Sequence, residues 1–226
     1  MSLYLYINIM IILFPLLFSF EKRIKYYSKI KYLLISILIV GSLFVFWDMF
    51  ATYRGHWFFN PNYVLGIKIL GLPVEEILFF ITVPFSCIFA YEGIKYFLDE
   101  SKLFKEMKWP PIIFGIGFLL FALLPIGGEY TSLALASVGL TLIFISFFML
   151  ELFSSKLFWI YTSFSLVVFL IFNYLLTSIP IVEYSPSAIT NFRVITVPIE
   201  DFMFNFSMLT LYLAIYLWAK KRKLKI

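Results

Sequence analysis

The chain has 226 residues, of which 62% are apolar, 22% aromatic and 14% charged, whereas ordinary soluble domains carry about 25% charged residues. That balance excludes a water-soluble globule. At about 20 apolar residues per span, the length fits about seven membrane helices with short loops and leaves no room for a soluble domain. The net charge of +5 comes from lysine clusters beside apolar runs, so it reads as a topology signal, not as a nucleic-acid surface.

In chain order the apolar runs fall at 3–20, 32–51, 73–92, 111–126, 131–152, 157–177 and 198–219. The first has neither the basic n-region nor the small-residue cleavage site of a secretory signal, so it is expected to be a retained span. The connection at 53–72 is rich in aromatic residues, Gly, Asn and Pro and is expected to pack at the membrane interface. Cys87 lies inside an apolar run and reads as a small buried hydrophobe. Fifteen of the 18 basic residues gather on one side, among them Lys22, Arg23, Lys25, Lys29, Lys31, Lys95, Lys102, Lys105, Lys108, Lys156 and the tail to Lys225. Arg54, Lys68 and Arg193 stand on the other. The positive-inside rule then sets the C-terminus in the cytoplasm and the N-terminus outside an inner (plasma) membrane.

Sliding the chain by 125 residues brings Pro73-Val74-Glu75-Glu76 onto Pro198-Ile199-Glu200-Asp201. The same offset pairs Asp48 with Asn173, Phe79 with Phe204, Pro61 with Pro186 and Lys68 with Arg193. The fold class expected is an all-α polytopic helical bundle made of two parallel three-helix repeats, residues 1–96 and 127–226. Residues 97–126, with the fourth helix, connect them and restore direction. Parallel repeats commonly hold a binding site between the halves.

Locally, a proline at a helix start followed by carboxylates near the positive end of the helix dipole is a sufficient structural explanation for one such motif. Two copies at the edge of hydrocarbon, where ionisable groups are expensive, point to function. Helical spacing sets Glu75 over Phe79 and Glu200 over Phe204, with Glu76 and Asp201 angled beside them. If the halves face each other, four carboxyls converge among aromatic rings, and burial with like-charge crowding keeps at least one protonated. Such a site moves protons on an apolar substrate. Asp48 and Asn173 are candidate supports through hydrogen bonding, with helix–helix bonding as the plainer alternative. Arg54, Lys68 and Arg193 are candidate partners of the motif carboxyls. Glu92, Glu129, Glu151 and Glu183, at span ends or in loops, read as solvated or interfacial.

The single histidine, His56, excludes a histidine-rich di-iron or zinc site, and no metal is expected. Gly115-Ile116-Gly117 lacks the third glycine of a dinucleotide fingerprint, and no cofactor is read from the chain. The seventh run has no interior lysine for a retinal Schiff base. Asp48, Asp99 and Asp201 are the only aspartates, too few for an Asp-rich diphosphate site.

At these residues the sequence resembles the membrane-integral lycopene cyclases, which occur as two small subunits or as one fused chain. Arg54-Gly55-His56-Trp57-Phe58-Phe59-Asn60-Pro61, Gly66, Leu72-Pro73-Val74-Glu75-Glu76 and Phe79-Phe80 carry the first half of the likeness. Asn191-Phe192-Arg193 and Pro198-Ile199-Glu200-Asp201 carry the second. His56 departs from the apolar residue expected there, and the loop at 178–190 is short. The resemblance implies cyclisation of the acyclic ends of lycopene, or a related acyclic carotenoid, to β-ionone rings, giving γ-carotene and then β-carotene without net redox change. It implies catalytic roles for Glu75, Glu76, Glu200 and Asp201, with substrate contacts from Phe79, Phe204, Trp57, Phe80 and Asn205. Asp48, Asn173, Arg54, Arg193, Pro73 and Pro198 are the supporting set. The competing reading is a proton- or cation-coupled carrier, which needs polar groups along a path across the membrane instead of at one end.

Overall fold

A backbone inside hydrocarbon must satisfy its own N–H and C=O groups, and the apolar runs do so as helices. The computed structural model describes residues 2–98 and 101–223; Asp99 and Lys225 lie outside them. The helices are α1 (Leu3–Phe18), α2 (Tyr26–Tyr53), α3 (Val74–Phe97), α4 (Trp109–Ala122), α5 (Glu129–Phe148), α6 (Lys156–Ser178) and α7 (Ile199–Lys221). α2, α3, α5, α6 and α7 are long and apolar enough to cross a membrane, while α1 and α4 are shorter apolar helices. The chain is an all-α bundle, as its composition predicts.

The second helix starts six residues earlier than the sequence expectation and the third ends five residues later, at Phe97; two other helices end early. α4 stops at Ala122 and not at 126, because Pro125 offers no N–H and steers the residue before it away from helical geometry. α5 stops at Phe148 and not at 152. Met149 turns to φ −151, ψ 51, and a separate helical turn, Glu151–Ser154, leads into α6.

α3 and α7 are the best buried helices, with α1 packed on α3 and α5 packed on α7. α4 lies on α5 through a close backbone approach: a Cβ at Gly139 would sit 2.7 Å from the Gly115 carbonyl oxygen. Small residues at such crossings let membrane helices gain dispersion contact.

Two prolines sit within the helices that bear on the site. Pro15 in α1 and Pro84 in α3 leave the carbonyls four residues earlier without a helical partner. In each case a hydroxyl from a neighbouring helix replaces it. Ser86 Oγ donates to the Ile11 carbonyl at 2.9 Å, and Tyr212 Oη donates to the Phe80 carbonyl at 2.7 Å. The freed carbonyls thereby tie α1 to α3 and α3 to α7.

At the end of the bundle opposite the acidic motifs, Glu92 corrects its sequence reading. It is buried and not solvated, pairing with Lys29 at 2.6 Å and with Lys220 while Tyr216 Oη donates to it at 2.7 Å. One carboxylate thus joins α2, α3 and α7.

The loops at the motif end carry short strands: β1 (Trp57–Phe59), β2 (Lys68–Ile69), β3 (Leu72–Pro73), β4 (Val182–Tyr184), β5 (Arg193–Val194) and β6 (Val197–Pro198). β2–β3 and β5–β6 are two-residue hairpins that deliver the chain into α3 and α7. Leu70 and Gly71 both take positive φ in the first; Ile195 does so in the second, at φ 62, a strained geometry for a β-branched residue. β1 pairs antiparallel with β4, centred on Phe58 opposite Glu183, residues 125 apart. This ladder joins the first loop to the second directly over the helix starts.

Candidate active site

Pro73 and Pro198 cap α3 and α7 with nearly the same backbone, φ −57 and ψ 142 against φ −58 and ψ 144. Each therefore launches its two carboxylates in the first helical turn, and all four are buried. The four do not converge. Glu75 folds back over the helix start, where Oε1 accepts from Ser2 Oγ and from the Leu65 N–H, both at 2.6 Å. Glu200 does the same, Oε1 accepting from Thr131 Oγ1 and from the Thr190 N–H, both at 2.7 Å. Each holds a loop amide ten residues upstream, a local use for a carboxylate that helical spacing alone does not reveal.

Glu76 and Asp201 turn inward and line a shared cavity of about 60 Å³. Trp57, Phe79, Phe80, Asn173, Phe204, Asn205 and Asp48 line it too. Phe79 and Phe204 thus accompany the second carboxyl of each motif and not, as helical spacing predicted, the first.

Asp201 accepts three hydrogen bonds, from Tyr184 Oη at 2.6 Å, Tyr130 Oη at 2.8 Å and Asn173 Nδ2 at 2.9 Å. Glu76 accepts from Tyr4 Oη and lies within hydrogen-bonding reach of Asp48. Asp48 itself accepts from Trp57 Nε1 at 2.7 Å. Burial, reinforced by the neighbouring Asp201 carboxylate, pushes the Tyr184 phenol well above its ordinary range, so it stays a donor. Rings close the surroundings: Trp57 meets Tyr130 edge-on at 4.8 Å, and Phe204 meets Trp47 at 5.0 Å and Phe44 at 5.1 Å.

Tyr4, Tyr130 and Tyr184 are site residues that the sequence reading missed. A signal existed for two of them, since Tyr4 and Tyr130 lie 126 residues apart, one off the repeat. The expected pairing of cations with the motif carboxyls is corrected. Arg54 bonds the exposed Glu129 through Nη2 at 2.7 Å, and Arg193 Nη1 donates to the Thr196 carbonyl at 2.8 Å. Both stay in the loops, because a solvated guanidinium needs no buried partner. His56 is buried beside the same glutamate, Nε2 being 3.3 Å from Glu129 Oε2, an ion-pair distance without hydrogen-bond alignment.

Two apolar grooves flank the cavity. One of about 690 Å³ runs between α2 and α5 and includes Phe44, Trp47, Ala136 and Leu140. Another of about 740 Å³ lies among α4, α5, α6 and α7 and includes Phe118, Leu166 and Phe202. Trp47 and Phe44 of the first groove touch Phe204 of the cavity, so these rings lie between the two spaces.

No curated protein and no solved structure matches the chain. The family model described as lycopene cyclase matches residues 1–94 and 129–219, leaving out the segment that holds α4. That match covers well over half of the sequence, and the chain belongs to the lycopene cyclase family.

Proposed function

We propose that the chain is a lycopene β-cyclase of an inner membrane, closing the acyclic ends of lycopene to β-ionone rings by acid–base chemistry. The observation that carries the reading is the small aromatic cavity in which one carboxyl from each motif, Glu76 and Asp201, meets Asp48. Cyclisation of an isoprenoid end needs a proton donor for the terminal alkene, a proton acceptor for the ring carbon, and shelter of the intermediate cation from water. Carboxyls supply the first two, and the faces of Phe79, Phe80 and Phe204 stabilise and screen the cation. Substrate and product have the same composition, so the enzyme acts as an isomerising (intramolecular) lyase.

The 125-residue offset shared by motifs, hairpins and the β1–β4 ladder supports two related halves, 1–96 and 127–226, joined by 97–126. The cavity is smaller than a methylated six-membered ring, so substrate entry displaces side chains. We place the polyene tail in the α2–α5 groove, where movement of Trp47 and Phe204 would join groove to cavity. Filling that groove with Ala136→Trp should then lower conversion, while Leu166→Trp in the other groove should not.

Expression in a lycopene-accumulating bacterial host tests the function. Cyclised pigments of unchanged mass are expected on liquid chromatography, and they should vanish with Glu76→Gln or Asp201→Asn. Unchanged lycopene despite good membrane expression would overturn it.

A further inference from the structure

The two halves of the cavity are alike in backbone and unlike in proton inventory. At the shared offset, Asp48 of the first half stands where the second has Asn173, Phe59 where it has Tyr184, and Phe80 where it has Asn205. Asn173 and Tyr184 are both donors to Asp201, and Tyr130 is a third. Three donors bond that carboxyl, an arrangement complete when it is a carboxylate with a lone pair to offer. Around Glu76 a second carboxyl, Asp48, shares the donors: Tyr4 donates to Glu76, and Trp57 and Thr52 donate to Asp48. Two carboxyls in hydrogen-bonding reach, Asp48 and Glu76, bond to each other only when they hold a proton between them. Those donors reach one oxygen of each carboxyl, Asp48 Oδ1 and Glu76 Oε2. Asn205, buried, lines the same cavity.

Resting on the cyclase reading above, we propose that the halves have opposite tasks: the Asp48–Glu76 pair delivers the proton through Glu76, and Asp201 takes the one that leaves. The Glu76 O–H bond breaks as a C–H bond forms at the terminal alkene. The electron pair of the next alkene closes the ring on the resulting tertiary cation. A C–H bond beside the new cation then breaks, its electrons forming the ring double bond and its proton passing to Asp201. Return of that proton to the pair resets the site, and no oxidant or reductant takes part. Asp48 is a positioning residue that keeps the proton on Glu76, while Glu76 and Asp201 are catalytic.

The test uses the full chain in membranes equilibrated in D2O, supplied with lycopene, with mass spectrometry of both product and recovered substrate. Wild-type product should carry one deuterium per ring. Asp201→Asn should release little ring product yet exchange deuterium into recovered lycopene, because the pair protonates the alkene and then takes the proton back. Glu76→Gln should neither cyclise nor exchange. Asp48→Asn should lower cyclisation and exchange together without changing the ratio of products. Each variant is checked by elution in detergent, and Glu76→Met and Asp201→Ser, which also remove the carboxyl, replace any that does not fold. Exchange with Glu76→Gln, or none with a folded Asp201→Asn, would overturn the assignment, and wild-type turnover by Asp48→Asn would remove Asp48 from it. A wild-type chain that makes no rings would instead refute the cyclase reading itself.

Discussion

Glu75 and Glu200 show how one residue type in one motif divides into two uses. Each gathers a hydroxyl and a loop N–H on a single oxygen, and leaving a buried donor without its acceptor costs about 1–3 kcal/mol. Glu75→Ala or Glu200→Ala should therefore lower stability by on the order of 2–4 kcal/mol, read as a fall in thermal midpoint in detergent. Glu75→Gln and Glu200→Gln keep the accepting oxygen and should retain cyclisation that Glu76→Gln and Asp201→Asn abolish. The motifs were legible from their repetition in a chain with few charges. Which carboxyl faces the cavity was not, because the answer depends on Leu65 and Thr190, whose amides draw Glu75 and Glu200 outward. Nor does any local pattern separate Tyr4, Tyr130 and Tyr184, as donors, from the other tyrosines of an aromatic-rich membrane protein.

Helix positions follow from hydropathy, but the carbonyls that prolines free within them find partners far away in sequence. Pro84 frees the Phe80 carbonyl, and Tyr212 of α7 occupies it. Tyr212→Phe should destabilise the protein by about 1–3 kcal/mol, the penalty for an unsatisfied buried acceptor. In Pro84→Ala the helix supplies its own N–H, so adding Tyr212→Phe to that background should do less harm; thermal midpoints of the four proteins measure the coupling. At the far end, Glu92→Gln should weaken the junction of α2, α3 and α7 by on the order of 2 kcal/mol, below the full value for a buried pair because both lysines remain partly solvated. Pigment conversion should survive that change, since Glu92 is at the opposite end of the bundle from the cavity. The proline signals were visible in the sequence, whereas their partners required the packing of α1, α3 and α7 to be known.

For the whole molecule, charge distribution predicts the loops bearing the β1–β4 ladder to be outside and the lysine clusters within. The lone Cys87 is buried, so single introduced cysteines report topology directly. A membrane-impermeant thiol reagent applied to intact cells should label Asn62→Cys and spare Ser101→Cys; the opposite pattern would invert the protein. The β1–β4 ladder also bears on how many reactions the proposed cyclase performs at once. It joins the two loops beside one cavity, so on that reading two copies of the motif yield a single catalytic centre and not two. A substrate with two identical ends would then present them in turn, withdrawing after the first closure and re-entering reversed. Its one-ringed form would be a free intermediate in the bilayer, and a smaller supply of enzyme should make that form accumulate before the two-ringed one appears.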